Sequence, residues 1–183
     1  MGIKDMNRKG ILINVAVFVG FLILCMGGGG LMGAITRNDF GDSSEWYTKL
    51  IKPSFNPPSY LFGIVWPILY LLMAISAFAV WTKTGITKEP APLVIFFIQL
   101  ALNFLWTLIF GKAKDLLASL VEIVVLWFAI VLTILQFWKF SRGAALCLVP
   151  YLAWVTFATA LNYKLFELNP EAFSSWDGLK PEL

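Results

Sequence analysis

Large aromatic side chains and lysines are concentrated in one segment of the chain, around a Pro-Pro pair. The segment contains Trp46, Tyr47 and Trp66, with Lys49 and Lys52 between them. Flat rings can stack on a flat apolar molecule, and ammonium groups can bind its acid groups. A membrane span needs only apolar bulk, for which leucine would be sufficient. The pattern therefore predicts a binding surface for a flat, apolar, acidic ligand.

Three apolar segments each place aromatic and polar side chains on one helical face. Side chains spaced by alternating steps of three and four residues lie on the same side of a helix. Polar groups within lipid turn inward, where they either join helices by hydrogen bonds or contact a ligand. Both interpretations stay open for the amides, and Trp66 and Trp154 either face a ligand or belong to the core. The three faces comprise Trp66, Tyr70, Met73 and Ala77; Gln99, Asn103, Trp106 and Phe110; and Tyr151, Trp154, Ala158 and Asn162.

Few other side chains in the apolar segments could carry chemistry. Glu122 is an acid within a span, which makes it either a functional group or a carboxyl that reaches headgroup water. Cys25 and Cys147 lie in apolar segments, which favours buried thiols over a disulfide. The chain has no histidine, which excludes a histidine-ligated haem and a histidine general base. We therefore predict neither a metal site nor a required cofactor.

Long apolar segments must position these residues. The chain has 183 residues, is 59% hydrophobic and has a mean hydropathy of +0.78, whereas soluble domains contain about 45–50% apolar residues. A helix of about 20 residues crosses a bilayer. We predict an all-α integral membrane protein, a five-transmembrane-helix bundle that forms a single domain over residues 1–183. The predicted spans are residues 10–35, 60–81, 92–110, 115–138 and 143–163, and a polar tail covers residues 168–183.

The connection between the first two spans is the only long one, and it is a candidate lid. It covers residues 36–59, and loops of this length are often functional. A glycine run at residues 27–30, with Gly33 after it, precedes the loop and allows either close helix packing or space for a ligand. The 14 lysines and arginines divide equally between the two membrane faces, so the positive-inside rule leaves the orientation undecided. No basic stripe suggests nucleic acid as a partner.

Three motifs, in this order along the chain, resemble those of the TspO/MBR family (tryptophan-rich sensory protein, translocator protein, peripheral-type benzodiazepine receptor). Any one motif alone would be modest, but together they cover most of the chain. The first reads Trp46-Tyr47-x-x-Leu50-x-Lys52-Pro53-x-x-x-Pro57-Pro58 and continues as Phe62-Gly63-x-Val65-Trp66-x-x-x-Tyr70-x-x-Met73. The second reads Gln99-Leu100-x-Leu102-Asn103-x-x-Trp106, and the third Pro150-Tyr151-Leu152-Ala153-Trp154-Val155-x-Phe157-Ala158-Thr159-x-Leu161-Asn162.

The resemblance implies a five-helix bundle whose first loop closes a cavity, and a homodimer as a further expectation. Family members bind porphyrins such as protoporphyrin IX, benzodiazepine-site ligands and, in animals, cholesterol. By resemblance, the cavity would be lined by Phe62, Gly63, Val65, Trp66, Trp154, Ala158 and Leu161. We add, as further candidate ligand-binding residues, Arg37, Trp46, Tyr47, Tyr70, Asn103, Trp106 and Tyr151. In some bacterial relatives, two tryptophans matching Trp66 and Trp154 support light-driven breakdown of protoporphyrin, which makes these two the candidate catalytic residues.

One departure from the family pattern argues against a sterol ligand. In animal members an Arg follows the Leu-Asn-Tyr of the fifth helix, whereas here Tyr163 is followed by Lys164 and the motif spacing fails. We therefore predict a membrane receptor for tetrapyrroles and related apolar ligands, acting in porphyrin sensing, handling or light-dependent degradation. The alternatives are a transporter of porphyrin or sterol and a membrane regulator that binds a partner. Either a bacterial inner membrane or an organellar membrane fits the sequence.

Overall fold

The fold is helical throughout the part of the chain that the computed structural model describes, which is residues 3–41, 44–85 and 89–170. No strand occurs within these ranges. The helices are α1 (Ile3–Leu22), α2 (Gly28–Ile35), α3 (Glu45–Lys49), α4 (Ser59–Thr84), α5 (Ala91–Leu108), α6 (Leu116–Phe140), α7 (Arg142–Cys147) and α8 (Val149–Leu168). Two π-helical segments interrupt this order: Ile23–Gly27 joins α1 to α2, and Ile109–Ala113 extends α5.

Five stretches of helix are long and apolar enough to cross a membrane, which confirms the predicted all-α integral membrane protein. The first span coincides with the prediction, and each of the others is longer than predicted at one or both ends. Hydropathy marks the apolar part of each span, whereas exposed charged residues such as Lys83 and Lys112 continue the helices beyond it. The spans are Gly10–Ile35, Ser59–Thr84, Ala91–Ala113, Leu116–Phe140 and Arg142–Leu168. Most of the predicted polar tail, residues 171–183, lies outside the described residues.

Side-chain caps and tight turns explain why neighbouring helices run antiparallel. Asp115 accepts hydrogen bonds from the backbone N–H groups of Leu117 (3.0 Å) and Ala118 (2.9 Å), which fixes the start of α6. Just before it, Lys114 adopts a left-handed conformation with φ of 57°, which reverses the chain after α5. Ser141 caps α7 in the same way, through the N–H of Ala144 at 3.3 Å.

Two apolar clusters form the interior. The larger one joins all five spans, and Phe96 of α5 stacks on Phe137 of α6 within it at 5.9 Å between ring centroids. The smaller one lies beneath the first loop, where Tyr47 and Leu50 of the loop pack with Phe110. The long loop is therefore packed against the bundle and does not extend away from it.

The glycine segment provides close helix packing at some positions and open space at others. A Cβ atom on Gly28 would lie 2.5 Å from Cζ of Phe104, and one on Gly29 would overlap the ring of Tyr70. These two glycines therefore allow close packing of the first span against its neighbours. A Cβ atom on Gly30 or Gly33 would meet nothing within 4 Å. Those positions face open space.

Candidate functional site

A cavity of about 700 Å³ lies beneath the first loop, between the first, second, third and fifth spans. This volume is within the range of about 300–1,000 Å³ that is typical of small-molecule sites. Aromatic side chains supply much of its wall. The predicted residues that line it are Arg37, Tyr47, Phe62, Gly63, Trp66, Tyr70, Trp106, Ala158 and Leu161.

Trp66 forms the centre of one aromatic wall of the cavity. Its ring stacks on Tyr70 one turn further along α4, with centroids 5.6 Å apart and an interplanar angle of 29°. The same indole meets Tyr151 of α8 edge to face at 6.4 Å. Neighbouring rings thus hold the indole on two sides while its free surface faces the cavity.

A second group of stacked rings lines the cavity closer to the loop. Phe110 stacks on Trp106 at 5.1 Å and on Phe40 of the loop at 5.4 Å. A Cβ atom on Gly111 would lie 2.7 Å from the Phe40 ring. A glycine is therefore needed where the loop packs against the π-helical end of the third span. The cavity therefore offers two aromatic surfaces, one from α4 and one shared by the third span and the loop.

Buried amides hold these rings in place through hydrogen bonds between spans. Tyr70 Oη donates to Asn103 Oδ1 at 2.7 Å, and Asn103 Nδ2 donates to Tyr151 Oη at 3.0 Å. Trp106 Nε1 donates to Asn162 Oδ1 at 3.3 Å. Asn103 and Asn162 are thus interhelical links, whereas the amide of Gln99 is buried without a hydrogen-bond partner among the described residues. Asn162 also lines the cavity, whereas Asn103 lies behind the ring of Tyr70.

Five of the predicted ligand-binding residues lie outside the cavity wall: Trp46, Val65, Asn103, Tyr151 and Trp154. Trp46 packs edge to face on Phe110 at 5.5 Å, and Trp154 packs edge to face on Phe62 at 5.8 Å. Phe62 and Phe110 both line the cavity, so these tryptophans support rings that face it. Trp154 Nε1 is buried without a hydrogen-bond partner among the described residues.

The first span contributes more of the wall than the sequence indicated. Met26, Gly30, Gly33 and Arg37 follow one another at helical steps of four, three and four residues, and all four line the cavity. This stripe could have been found by extending a helical face back from Arg37. The middle positions of this stripe are glycines, so it lacks the aromatic residues that mark the faces of the other spans. Pro67 of α4 also lines the cavity and was not predicted.

Exposed residues of the first two spans line one side of the cavity. Gly30 and Gly33 on the first span, and Gly63 and Pro67 on the second, line the cavity and are also exposed. These four residues define a lateral seam. In a membrane the seam faces lipid at the depth of the spans, so a lipid-soluble molecule could reach the rings without crossing the loop.

Contacts with distant parts of the chain hold the loop over the cavity. Asn169, just after α8, pairs with the backbone of Ile51: its Oδ1 accepts from the N–H at 2.8 Å and its Nδ2 donates to the carbonyl at 2.9 Å. Lys112 forms an ion pair with Asp39 at 2.6 Å. Within the loop, Tyr47 Oη donates to Asn56 Oδ1 at 3.0 Å.

The site has few groups suited to covalent or metal chemistry. The described residues contain no cluster of three or more histidine, cysteine or acidic side chains that could hold a metal ion. Cys25 is fully buried, and Glu122 is 8% exposed with no hydrogen-bond partner among the described residues. Neither lines the cavity. The arrangement is suited to holding a flat apolar molecule.

Comparison with known proteins agrees with this arrangement. Residues 21–168 match the model of the TspO/MBR family. The chain is 42% identical to the tryptophan-rich protein TspO of Chlorobaculum tepidum over 90% of its own length and 100% of that protein. It is 36% identical to the tryptophan-rich sensory protein of Cereibacter sphaeroides, over 86% of the chain and 96% of the relative. It is 38% identical to the human translocator protein, over 70% of the chain and 78% of the relative.

Proposed function

Because the chain belongs to the TspO/MBR family of integral membrane proteins, we propose that its cavity binds a tetrapyrrole such as protoporphyrin IX. One observation carries the proposal: the cavity of about 700 Å³ has walls of stacked indole, phenol and phenyl rings. Relatives are named a sensory protein and a translocator protein. These names support a role in sensing or handling the bound molecule.

The chemistry of the ligand matches the chemistry of the wall. A porphyrin is a flat, apolar ring system with acid groups on one edge. Trp66 and Tyr70 present a stacked pair of rings to the cavity, and Phe110 presents another. Arg37 also lines the cavity and can bind an acid group through its guanidinium. The absence of histidine from the chain favours a metal-free porphyrin.

The test is a titration of the detergent-solubilised protein with protoporphyrin IX in the dark, followed by the absorbance of the porphyrin. We expect saturable binding beyond that of empty micelles. Trp66→Leu removes a ring contact worth about 1 kcal/mol, so it should weaken binding roughly fivefold. Trp138→Leu is the matched control, because Trp138 is 47% exposed on the outside of the bundle.

Two results would contradict the proposal: binding that never exceeds partition into empty micelles, or equal loss of affinity in both tryptophan variants.

The alternative functions are transport of porphyrin or sterol and regulation through a partner. A partner-binding regulator would need no saturable ligand site, so the same titration separates it from a receptor. The expected homodimer stays a prediction.

A further inference from the structure

We propose that the loop above the cavity carries an anion-binding subsite built on Lys52, which takes an acid group of a ligand whose apolar body lies in the cavity. The inference rests on the proposed function, because it concerns the same ligand. It goes further in naming the chemical class that the site selects: flat apolar molecules with a carboxylate on a short arm.

The subsite is a second pocket of about 330 Å³, which we call the outer pocket. Its wall includes Lys52, Asn56 and Tyr60, whose side chains carry an ammonium, an amide and a hydroxyl group. Tyr47 and Ser59 line both this pocket and the cavity. The two pockets therefore share part of their walls. In the proposed binding mode, an acid group on a short arm reaches the outer pocket while the ring system stays among the aromatic walls.

The positions of the charges single out Lys52. Its Nζ lies 4.8 Å from the centroid of the Tyr47 ring, and Lys52 forms no ion pair with any described residue. None of the described residues that line the pocket carries a carboxylate. An ammonium beside an aromatic face, without an acidic partner among the described residues, can bind an anion that enters the pocket.

The neighbouring lysine provides the contrast. Lys49 Nζ lies 2.6 Å from Glu45 Oε1 on the exposed face of α3. The hydrogen bond and the charge of Lys49 lower the pKa of the Glu45 carboxyl below its usual value. The charge of Lys49 is therefore already balanced, and this lysine lines neither pocket. Two lysines three positions apart thus have different environments, which makes Lys49 a matched control.

The start of α4 adds to the positive potential. The helix begins at Ser59 directly after Pro57 and Pro58, and both prolines line the outer pocket. The first turn of a long helix carries a partial positive charge. This supports Lys52 without replacing it, since the potential of a helix end falls off within its first turn.

The experiment compares protoporphyrin IX with its dimethyl ester, which keeps the ring system and loses the charges. Both are titrated into the wild-type protein, Lys52→Gln, Lys52→Arg and Lys49→Gln, in the dark. We expect Lys52→Gln to weaken binding of the acid roughly five- to tenfold and to leave binding of the ester within about twofold. Lys52→Arg should keep the preference for the acid, and Lys49→Gln should change neither affinity. The preference should also decrease as salt is added.

The outcomes distinguish a failure of the Lys52 subsite from a failure of the proposed function. Equal binding of acid and ester by the wild type, with saturation, overturns the subsite and leaves the proposed function standing. An equal loss for acid and ester in Lys52→Gln, or an equal effect of Lys49→Gln on the acid, also overturns it. If neither molecule binds saturably, the proposed function and the subsite both fail.

Discussion

Trp66 owes its position in part to two side chains that do not themselves line the cavity, Asn103 and Tyr151. Its indole stacks on Tyr70, and the hydroxyl of Tyr70 is held by Asn103. Asn103 in turn donates to Tyr151, and the ring of Tyr151 meets the edge of Trp66. The four side chains thus form a closed ring of contacts that links α4, α5 and α8. The orientation of one indole therefore depends on the relative positions of three helices.

Replacing Asn103 tests this arrangement. Asn103→Leu removes both hydrogen bonds and leaves two buried phenol hydroxyls without their partner. We expect a loss of about 1–2 kcal/mol in the free energy of unfolding, because hydrogen bonds within membrane proteins contribute about 0.6 kcal/mol each and unpaired buried groups add to the loss. The measurement is the thermal unfolding midpoint in detergent.

A graded control accompanies this measurement. Tyr151→Phe removes only the hydrogen bond that Asn103 Nδ2 donates, and should therefore cost less than Asn103→Leu. Asn103→Leu should also weaken porphyrin binding, because Tyr70 loses the hydrogen bond that fixes its ring against Trp66. A midpoint for Asn103→Leu equal to that of the wild type would show that the hydrogen bonds do not contribute to stability.

The first span shows most clearly how an element divides its residues between packing and cavity. Its π-helical segment, Ile23–Gly27, is one wider turn that ends at the first glycine of the run. Beyond that turn, Gly28 and Gly29 meet aromatic rings, while Gly30 and Gly33 face open space. The second π-helical segment, Ile109–Ala113, contains Phe110, which also lines the cavity. Both irregular turns therefore contribute to the site.

Adjacent glycines in this span should respond differently to the same substitution. A Cβ atom on Gly29 would overlap the ring of Tyr70, so Gly29→Ala should push the span outward at a cost of about 1–3 kcal/mol. Gly30→Ala meets nothing within 4 Å and should leave the unfolding midpoint unchanged or slightly higher. Thermal unfolding of the two variants side by side checks this. Equal midpoints would show that the close approach to Tyr70 is relaxed at no cost.

The lateral seam gives a second prediction for the same element. Gly33→Leu places a branched side chain where the cavity is open to lipid, and should slow the uptake of porphyrin from vesicles. Gly20→Leu is the control, because Gly20 is also exposed with nothing within 4 Å and does not line the cavity. The measurement is the association rate of porphyrin preloaded in vesicles. Equal rates in the two variants would indicate that the ligand enters past the loop.

The sequence predicted these elements better than it predicted which side chains face the cavity. Length and hydropathy were sufficient for the five spans, because lipid demands continuous apolar helix. Trp66 and Tyr70 follow a regular helical step in α4, and both line the cavity. Trp154 follows the same kind of step in α8, yet it packs on Phe62, which lines the cavity, and does not line the cavity itself. Which aromatic side chain lines the cavity depends on the packing between spans, and the pattern of a single helix does not contain that information.

At the scale of the whole molecule, the cavity is closed at one end by contacts between parts that are distant in sequence. Asn169 and Ile51 are 118 positions apart, and their pairing ties the loop to the end of the fifth span. The ion pair of Lys112 with Asp39 ties it to the end of the third span. The bundle can therefore hold a ligand under a fastened loop while the seam between the first two spans stays open to lipid.

Releasing the loop at Asn169 should change the rate at which a bound ligand leaves. Asn169→Ala removes both hydrogen bonds to Ile51, each worth about 0.5–1.5 kcal/mol at most, so dissociation should become several times faster. Asn169→Asp can still accept from the Ile51 N–H but cannot donate to its carbonyl, so its rate should fall between those of Asn169→Ala and the wild type. Asn38→Ala, in an exposed part of the same loop, is the control. The measurement is dissociation of protoporphyrin IX into excess empty vesicles. If all four proteins release the porphyrin at one rate, the fastened loop does not limit release, and the seam is the route by which the ligand leaves.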